Sequence, residues 1–193
     1  AQDGSLSSQA GIGPTALATL GLVRSGRAVG DPQVAKALKY LEEYVQENGG
    51  IYTPGSHFAT YETCIAVMCF KEANRRGQFD KIIHDAEKFV RGSQWDESKS
   101  KDQADLSYGG AGYGGKTRPD LSNTAFLIDA LKSCGAGPDD KALQRALVFV
   151  SRCQNLESEH NVTQFAAKVN DGGFYYTPVL SRQEEERQTP NGG

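Results

Sequence analysis

One helical unit recurs three times along this chain, and this repetition constrains the fold more than any other feature of the sequence. Each copy combines a short, nearly all-apolar helix with a following amphipathic helix. The predicted apolar helices cover residues 15–23, 63–70 and 124–131, and the predicted amphipathic helices cover residues 34–45, 82–91 and 142–153. Two sets of aligned residues recur with spacings of about 50 and then about 60 residues: Thr15, Thr63 and Thr124, and Ala37, Ala86 and Ala146. Such self-similarity is typical of an array whose units bury their faces against their neighbours.

The two helices of a unit differ in their polar faces, and the difference predicts two layers. Residues 64–70 have no polar face, so a helix there has to be covered on both sides. Ile83, Ala86 and Val90 instead form one apolar stripe, opposite charged residues such as Asp85. The first helix of each unit is therefore predicted to lie inside and the second outside.

Inner–outer hairpins with local connections predict an all-α fold and favour an α/α toroid, in which the hairpins form two concentric layers. An open α-solenoid of the HEAT type gives a similar pattern and is the alternative. The turns after the outer helices favour the toroid, because each combines glycines with an aromatic residue that packs on the next helix pair. These turns are residues 49–54, 108–115 and 172–178. The chain is interpreted as one partial toroid domain, residues 1–193, with hairpins at about residues 12–48, 56–95 and 118–155.

The amphipathic segments share a further motif around a glutamine. Phe89 and Phe149 are each followed by a valine and, five positions after the ring, by Gln94 or Gln154. Tyr40 starts a third copy, whose glutamine comes one place late. With the later glycine–aromatic turn, this pattern resembles the repeat of the terpenoid cyclase and protein prenyltransferase superfamily. It looks most like the bacterial prenyltransferase/squalene-oxidase repeat proteins.

The resemblance implies that each glutamine closes its outer helix by bonding to the backbone of the turn, since an amide is both donor and acceptor. A closed ring in that family has more hairpins than the three present here, so the chain is expected to be a piece of a longer protein. Residues 1–6 lack the basic start and apolar run of a signal peptide. No targeting segment is therefore predicted, and both the cytoplasm and export are compatible with the sequence.

Composition narrows the classes of partner. The 193 residues include 21 Lys and Arg against 24 Asp and Glu, a net charge of −3, which gives no basic field for nucleic acid. No apolar run is long enough to predict a membrane span. Cys64, Cys69, Cys134 and Cys153 are predicted to be buried thiols, because their helix positions do not pair them as a disulfide framework.

Two polar insertions interrupt the repeats. Residues 96–106 follow the second hairpin, and residues 156–169 separate Gln154 from its glycine turn. Both are expected at the same rim of the toroid, where either a function or simple solvated connectors would fit. The acidic segment at residues 181–188 is interpreted as a solvated surface loop.

The catalytic motifs of the resembled family are incomplete in this chain. The zinc-binding Asp-x-Cys of prenyltransferase β chains corresponds to Asp120 and Ser122, and a serine hydroxyl is a poor zinc ligand beside a thiolate. No metal or cofactor is therefore predicted. Asp139 and Asp140 do not form the Asp-x-Asp-Asp acid of class II cyclases and are predicted to cap a helix. The Cys-Gly-Glu-Gln motif of complement-like thioester domains is absent as well.

Polar residues at the starts of the inner helices are the candidates for a ligand-binding rim. They are His57, Tyr61 and Glu62 in the second copy, and Asp120, Ser122 and Asn123 in the third. For Asn123, helix capping is the alternative. Asp129 joins the candidates because a carboxylate in an otherwise apolar helix requires a buried partner or a wet cavity, and a salt bridge or helix bond is its alternative explanation.

Two hypotheses about function follow. In the first, the segment contributes to a toroid that binds an isoprenoid-like or other apolar small molecule, without a complete catalytic site of its own. In the second, it is a noncatalytic scaffold that binds a protein partner. An acid or a metal ligand in further repeats would favour an enzyme of the cyclase or prenyltransferase type.

Overall fold

The computed structural model describes residues 3–6, 10–114, 117–163, 166, 168 and 170–179. Six α-helices lie within these residues: α1 (Gly13–Arg24), α2 (Pro32–Glu42), α3 (Ala59–Ala73), α4 (Asp80–Ser93), α5 (Leu121–Cys134) and α6 (Lys141–Cys153). A 3₁₀ turn at Glu97–Lys99 follows α4, and the extended pairs found in the described part are four isolated bridges. The prediction of an all-α fold is confirmed. The predicted acidic loop at residues 181–188 lies outside the described residues, as does part of the insertion at residues 156–169.

The predicted helices are all present, with shifted ends. α3 begins at Ala59 rather than at residue 63, and its first turn buries Thr60 and Glu62. α2 ends at Glu42 rather than at residue 45. It ends early because Val45 leaves the helix to form a bridge with Ile51 in the following turn.

Aspartate caps set the starts of α2 and α6, and the cap of α6 was predicted. An Asp31 carboxylate oxygen accepts from the backbone N–H of Gln33 at the start of α2, at 2.9 Å. Asp140 accepts from the backbone N–H groups of Ala142 and Leu143 at the start of α6, at 2.9 and 3.3 Å. These bonds satisfy N–H groups that a helix leaves without internal partners.

The inner helices differ in how completely they are covered. Every side chain of α3 from Glu62 to Phe70 is buried, which confirms that this helix is enclosed on both sides. α1 instead exposes Leu17, half of whose surface is open to solvent. On α5, Asp129 and Lys132 are exposed. Both helices thus have one solvent-facing stripe.

The chain divides into two compact units. The first comprises Ala1–Ser93, Tyr113–Gly115 and Phe126–Ala136, and the second comprises Gln94–Gly112, Lys116–Ala125 and Gly137–Gly193. Within the first unit, α1 packs against both α2 and α3, and α3 packs against α4. The two apolar helices are therefore neighbours, and each carries one amphipathic helix.

Two contacts recur in the three predicted repeats. A glycine with positive φ lies so close to an outer helix that a Cβ atom would overlap a backbone carbonyl group: Gly4 against Lys36, Gly49 against Asp85, and Gly109 against Arg145. The hydroxyl oxygen of a fully buried threonine accepts from the backbone two residues after that glycine: Thr15 from Leu6, Thr63 from Ile51, and Thr124 from Ala111. Only glycine combines a positive φ with so close an approach.

The three motif glutamines donate to carbonyl groups of the turns. Gln46 Nε2 donates to the carbonyl of Tyr52, at 3.1 Å, and Gln154 Nε2 to that of Gly172, at 3.2 Å. Gln94 is almost fully buried, and its Nε2 donates both to Gly109 of the turn and to the first helical turn of α6. A single buried amide thus joins the glycine turn to α6.

Among the described residues, none of the helices is both long and apolar enough to cross a membrane. The longest of these helices, α3, has 15 residues.

Candidate functional site

Four aromatic side chains meet at the amino-terminal end of α3. The rings of Tyr61 and Phe126 pack edge to face with their centroids 4.8 Å apart. Tyr113 lies 6.2 Å from Tyr61 and 5.3 Å from Phe58, the second pair again edge to face. The backbone N–H of Thr60 donates to the carbonyl of Tyr113 at 2.9 Å, which holds this segment against α3. We refer to Phe58, Tyr61, Tyr113 and Phe126 as the aromatic cluster.

The aromatic cluster is open to solvent on one side. Phe58 has about half of its surface exposed (51%), and Tyr61, Tyr113 and Phe126 are half-buried. The start of α1 reaches the same place, because a Cβ atom on Gly13 would lie 3.6 Å from the Tyr61 ring. Grouped ring faces that carry two phenolic hydroxyls suit a ligand that is mostly apolar.

Glu62 follows Tyr61 of this cluster, but its carboxylate is hydrogen-bonded to the backbone. Its side chain is only 3% exposed, and one carboxylate oxygen accepts from the N–H of Thr53 at 3.0 Å. The other oxygen lies against Gly11, where a Cβ atom would collide with it. The buried hydroxyl of Thr53 has no partner among the described residues. Glu62 therefore joins the start of α3 to the preceding turn and leaves one polar atom there for a ligand or a water molecule.

Asp120 and Asn123 form a closed cap at the start of α5. The backbone N–H and the side-chain amide of Asn123 donate to the two carboxylate oxygens of Asp120, at 2.8 and 2.7 Å. Asp120 is 2% exposed and Asn123 is 1% exposed. This geometry supports the capping alternative for Asn123, because its amide nitrogen is used within the helix end. The buried amide oxygen of Asn123 has no partner among the described residues.

The remaining rim candidates differ in exposure. His57 is exposed and Ser122 is half-buried. Asp129 is exposed, so the expectation that it needs a buried partner or a wet cavity is wrong. The physical reason is that Asp129 lies on a solvent-facing stripe of α5 between Ala125 and Lys132, four and three residues away.

A buried arginine brings the two insertions together in the second unit. The guanidinium of Arg152, near the end of α6, donates to the carbonyl groups of Gln103 and Asp105 in the first insertion. It also donates to the carbonyl of His160 in the second insertion, at 3.2 Å. Burial lowers the pKa of this guanidinium, which is nevertheless charged at any physiological pH. The two insertions thus meet at one residue. Their expected place at one rim of a toroid stays a prediction.

A cleft of about 370 Å³ opens beside these insertions in the second unit. Arg145 pairs with Glu97 at 2.6 Å and lies 3.6 Å from Asp96 on one wall. The hydroxyl of Tyr108 donates to Glu97 at 2.8 Å. Arg145 and Glu97 on this wall are therefore paired with each other, and Lys141 and His160 also line the cleft.

All four cysteines are free thiols, as predicted. Cys64, Cys69 and Cys153 are buried, and Cys134 is half-buried. Burial raises the pKa of Cys64, and it raises the pKa values of Cys69 and Cys153 to about 12. Such thiols are protonated at neutral pH and are poor nucleophiles and metal ligands. Among the described residues, no three histidine, cysteine or acidic side chains group closely enough to hold a metal ion.

Sequence reasoning missed Phe58, Tyr113 and Arg152 as organising residues. The aromatic of each glycine turn was expected on the next helix pair, and Tyr52 does pack near Phe89 of α4, with centroids 5.7 Å apart. Tyr113 instead packs on the start of α3. The available signal was the pair of aromatic residues, Phe58 and Tyr61, that flank this helix start.

Comparison with known proteins leaves the chain unassigned: no family model matches it, and no curated protein matches it. The family resemblance of its motifs therefore remains a prediction.

Proposed function

We propose that this chain is a segment of an α/α toroid of the prenyltransferase/squalene-oxidase repeat type and that it binds an isoprenoid-like or other apolar small molecule. The recurring glycine and threonine contacts support the repeat interpretation, because unrelated helix pairs have no reason to share them. The turn-closing bonds of Gln46, Gln94 and Gln154 support the resemblance to that family.

The aromatic cluster is the observation that carries the proposal. Its four rings form a continuous apolar surface at the start of an inner helix, and one side of that surface is open to solvent. A folded chain exposes grouped aromatic rings at a cost unless a ligand or partner covers them. The isoprenoid class fits because its branched hydrocarbon complements ring faces and needs few polar partners.

Binding without catalysis is the form of the proposal that the carboxylates of Glu62 and Asp120 favour. Glu62 accepts from the backbone of Thr53, and Asp120 accepts from both donors of Asn123. Each carboxylate is thus held as an acceptor by N–H donors. Both carboxylates are therefore engaged in fixing the starts of their helices.

The test is the binding of farnesol, measured by equilibrium dialysis of the purified chain. Replacing Phe126 by alanine removes one ring of the cluster and should weaken the affinity up to about tenfold, in line with an aromatic contact of about 0.5–1.5 kcal/mol. Tyr44→Ala is the matched control, because Tyr44 also belongs to a ring pair, with Tyr40 at 5.0 Å, on the outer helix side. Equal losses in the two variants, or no farnesol binding by the parent chain, would refute the proposal.

A protein-interaction scaffold is the second candidate, and the exposed stripe of α1 favours it. Leu17, Ala18 and Gly21 are all exposed on this otherwise apolar helix. A Leu17→Arg variant should abolish the self-association of the chain or its capture of a partner if the scaffold hypothesis holds. Farnesol binding should be unaffected by that change.

A further inference from the structure

A second pocket lies in the first unit, away from the aromatic cluster and at the opposite end of α3. Its volume is about 460 Å³, within the range of small-molecule sites. The loop between α1 and α2 forms one side, with Val29 and Gly30, and the loop that follows α3 forms the other. Ala73, the last residue of α3, is fully buried and forms part of an apolar floor with Val29.

Two arginines that line this pocket, Arg75 and Arg76, differ from the other described arginines in their hydrogen bonding. Within the residues that the structure describes, Arg75 and Arg76 are the arginines whose side chains have no acceptor. Each of the remaining described arginines has one: Arg24 pairs with Glu72, Arg27 with Asp31, Arg91 with Glu87 and Arg145 with Glu97, and Arg118 and Arg152 donate to backbone carbonyl groups. Gln78, in the same loop, also lacks a side-chain partner there. All three side chains are exposed and line this pocket.

We propose that this pocket binds a small molecule that carries a carboxylate or a phosphate group. The oxyanion lies between the guanidinium groups of Arg75 and Arg76, and the apolar part of the molecule rests on Val29 and Ala73. Guanidinium groups bind such oxyanions through paired charge-assisted hydrogen bonds, and the Gln78 amide adds a neutral donor. The net charge of the chain is −3, so a general positive field does not account for this local pair of cations.

The experiment is calorimetric titration of the whole chain with two probes of similar size, phenyl phosphate and benzoate. Arg75→Gln and Arg76→Gln should each weaken the binding of the preferred probe about tenfold or more, the usual effect of losing a charge-assisted pair. Arg24→Gln is the matched control, because it removes the same charge from an exposed arginine that is already paired with Glu72. It should change the affinity less than about twofold. The probe that binds more tightly identifies the phosphate or the carboxylate as the natural group.

A blocking variant tests the position of the site without removing a charge. Gly30 has no positive φ, and a Cβ atom there would meet nothing within 4 Å, so Gly30→Phe can place its ring in the pocket while both arginines remain. This variant should abolish binding with an unchanged circular dichroism spectrum. Binding that survives Gly30→Phe, an Arg24→Gln loss as large as the Arg75→Gln loss, or no binding of either probe would overturn the proposal. The result is independent of the farnesol measurement, since neither probe requires the aromatic cluster.

Discussion

α3 and α5 are the first helices of two successive predicted repeats, yet they differ in which part of the helix is exposed to solvent. The body of α3 is enclosed on all sides, whereas its start presents half-exposed aromatic rings. The start of α5 is closed by the buried pair of Asp120 and Asn123, whereas its body has a solvent-facing stripe that includes Asp129. The two predicted repeats therefore differ at their helix starts.

The difference shows that a shared position does not imply a shared role. Glu62 and Asn123 are aligned in the predicted repeats, but Glu62 bonds to the turn before its helix and Asn123 bonds to the cap of its own helix. Tyr61 and Ser122 are aligned as well, and only Tyr61 joins a ring cluster. A ligand that prefers apolar surface should therefore distinguish the two starts.

The largest effect is expected from Asp120→Ala. This change removes the acceptor of two bonds from Asn123, and it leaves a buried amide without its partner. The loss of a cap and the cost of an unsatisfied donor together predict a decrease of about 2–4 kcal/mol in the free energy of unfolding. Urea denaturation followed by circular dichroism measures it. A decrease of under about 0.5 kcal/mol would show that the cap is not closed in solution.

Thiol reactivity tests the difference in burial between α3 and α5. Cys134, half-buried at the end of α5, should react with a disulfide reagent such as Ellman's reagent on the order of 100-fold faster than Cys64 and Cys69 of α3, whose thiols need local opening. Burial also raises the pKa of Cys69 to about 12, so little thiolate is available below that pH. Mass spectrometry of the modified chain identifies the first site. Equal rates at Cys134 and Cys64 would mean that α3 is not enclosed.

A smaller effect is expected from Asn123→Leu. Asp120 still caps the helix through the backbone N–H of residue 123, so only the side-chain bond is lost, and stability should fall by about 1–2 kcal/mol. Farnesol affinity should be unchanged, because this amide is buried within the cap. Weakened farnesol binding with unchanged stability would show that Asn123 contacts the ligand rather than capping α5.

The smallest effect is expected from Asp129→Ala, which serves as the matched control for Asp120→Ala in the same helix. Asp129 is exposed, and alanine has the higher helix propensity, so the free energy of unfolding should rise by less than about 0.7 kcal/mol. A loss of more than about 1 kcal/mol would imply a buried partner for this carboxylate and would restore the original expectation.

Features set by neighbouring residues could be predicted from the sequence, and long-range ones could not. The caps by Asp31 and Asp140 depend on a polar residue directly before a helical pattern, so they were predictable. The apolar run of residues 64–70 likewise predicted a helix that is buried on all sides. These are local periodicities and short hydrogen bonds.

Tertiary packing determined the rest. Arg152 reaches carbonyl groups almost 50 positions away in the chain, at Gln103 and Asp105, which no local pattern reveals. Asp129 was misjudged because the residues around it are apolar, although Lys132 on the same face indicated a solvent-facing stripe. The ring contacts of Tyr113 depend on where a glycine-rich turn folds back.

Photoaffinity labelling with a diazirine analogue of farnesol tests the central claim most directly. After irradiation and proteolysis, mass spectrometry should find the label on peptides that contain Phe58 and Tyr61, Tyr113 or Phe126, and excess farnesol should suppress it. Labelling confined to the Leu17 stripe of α1, or spread along the chain and insensitive to excess farnesol, would contradict an apolar ligand site at the aromatic cluster.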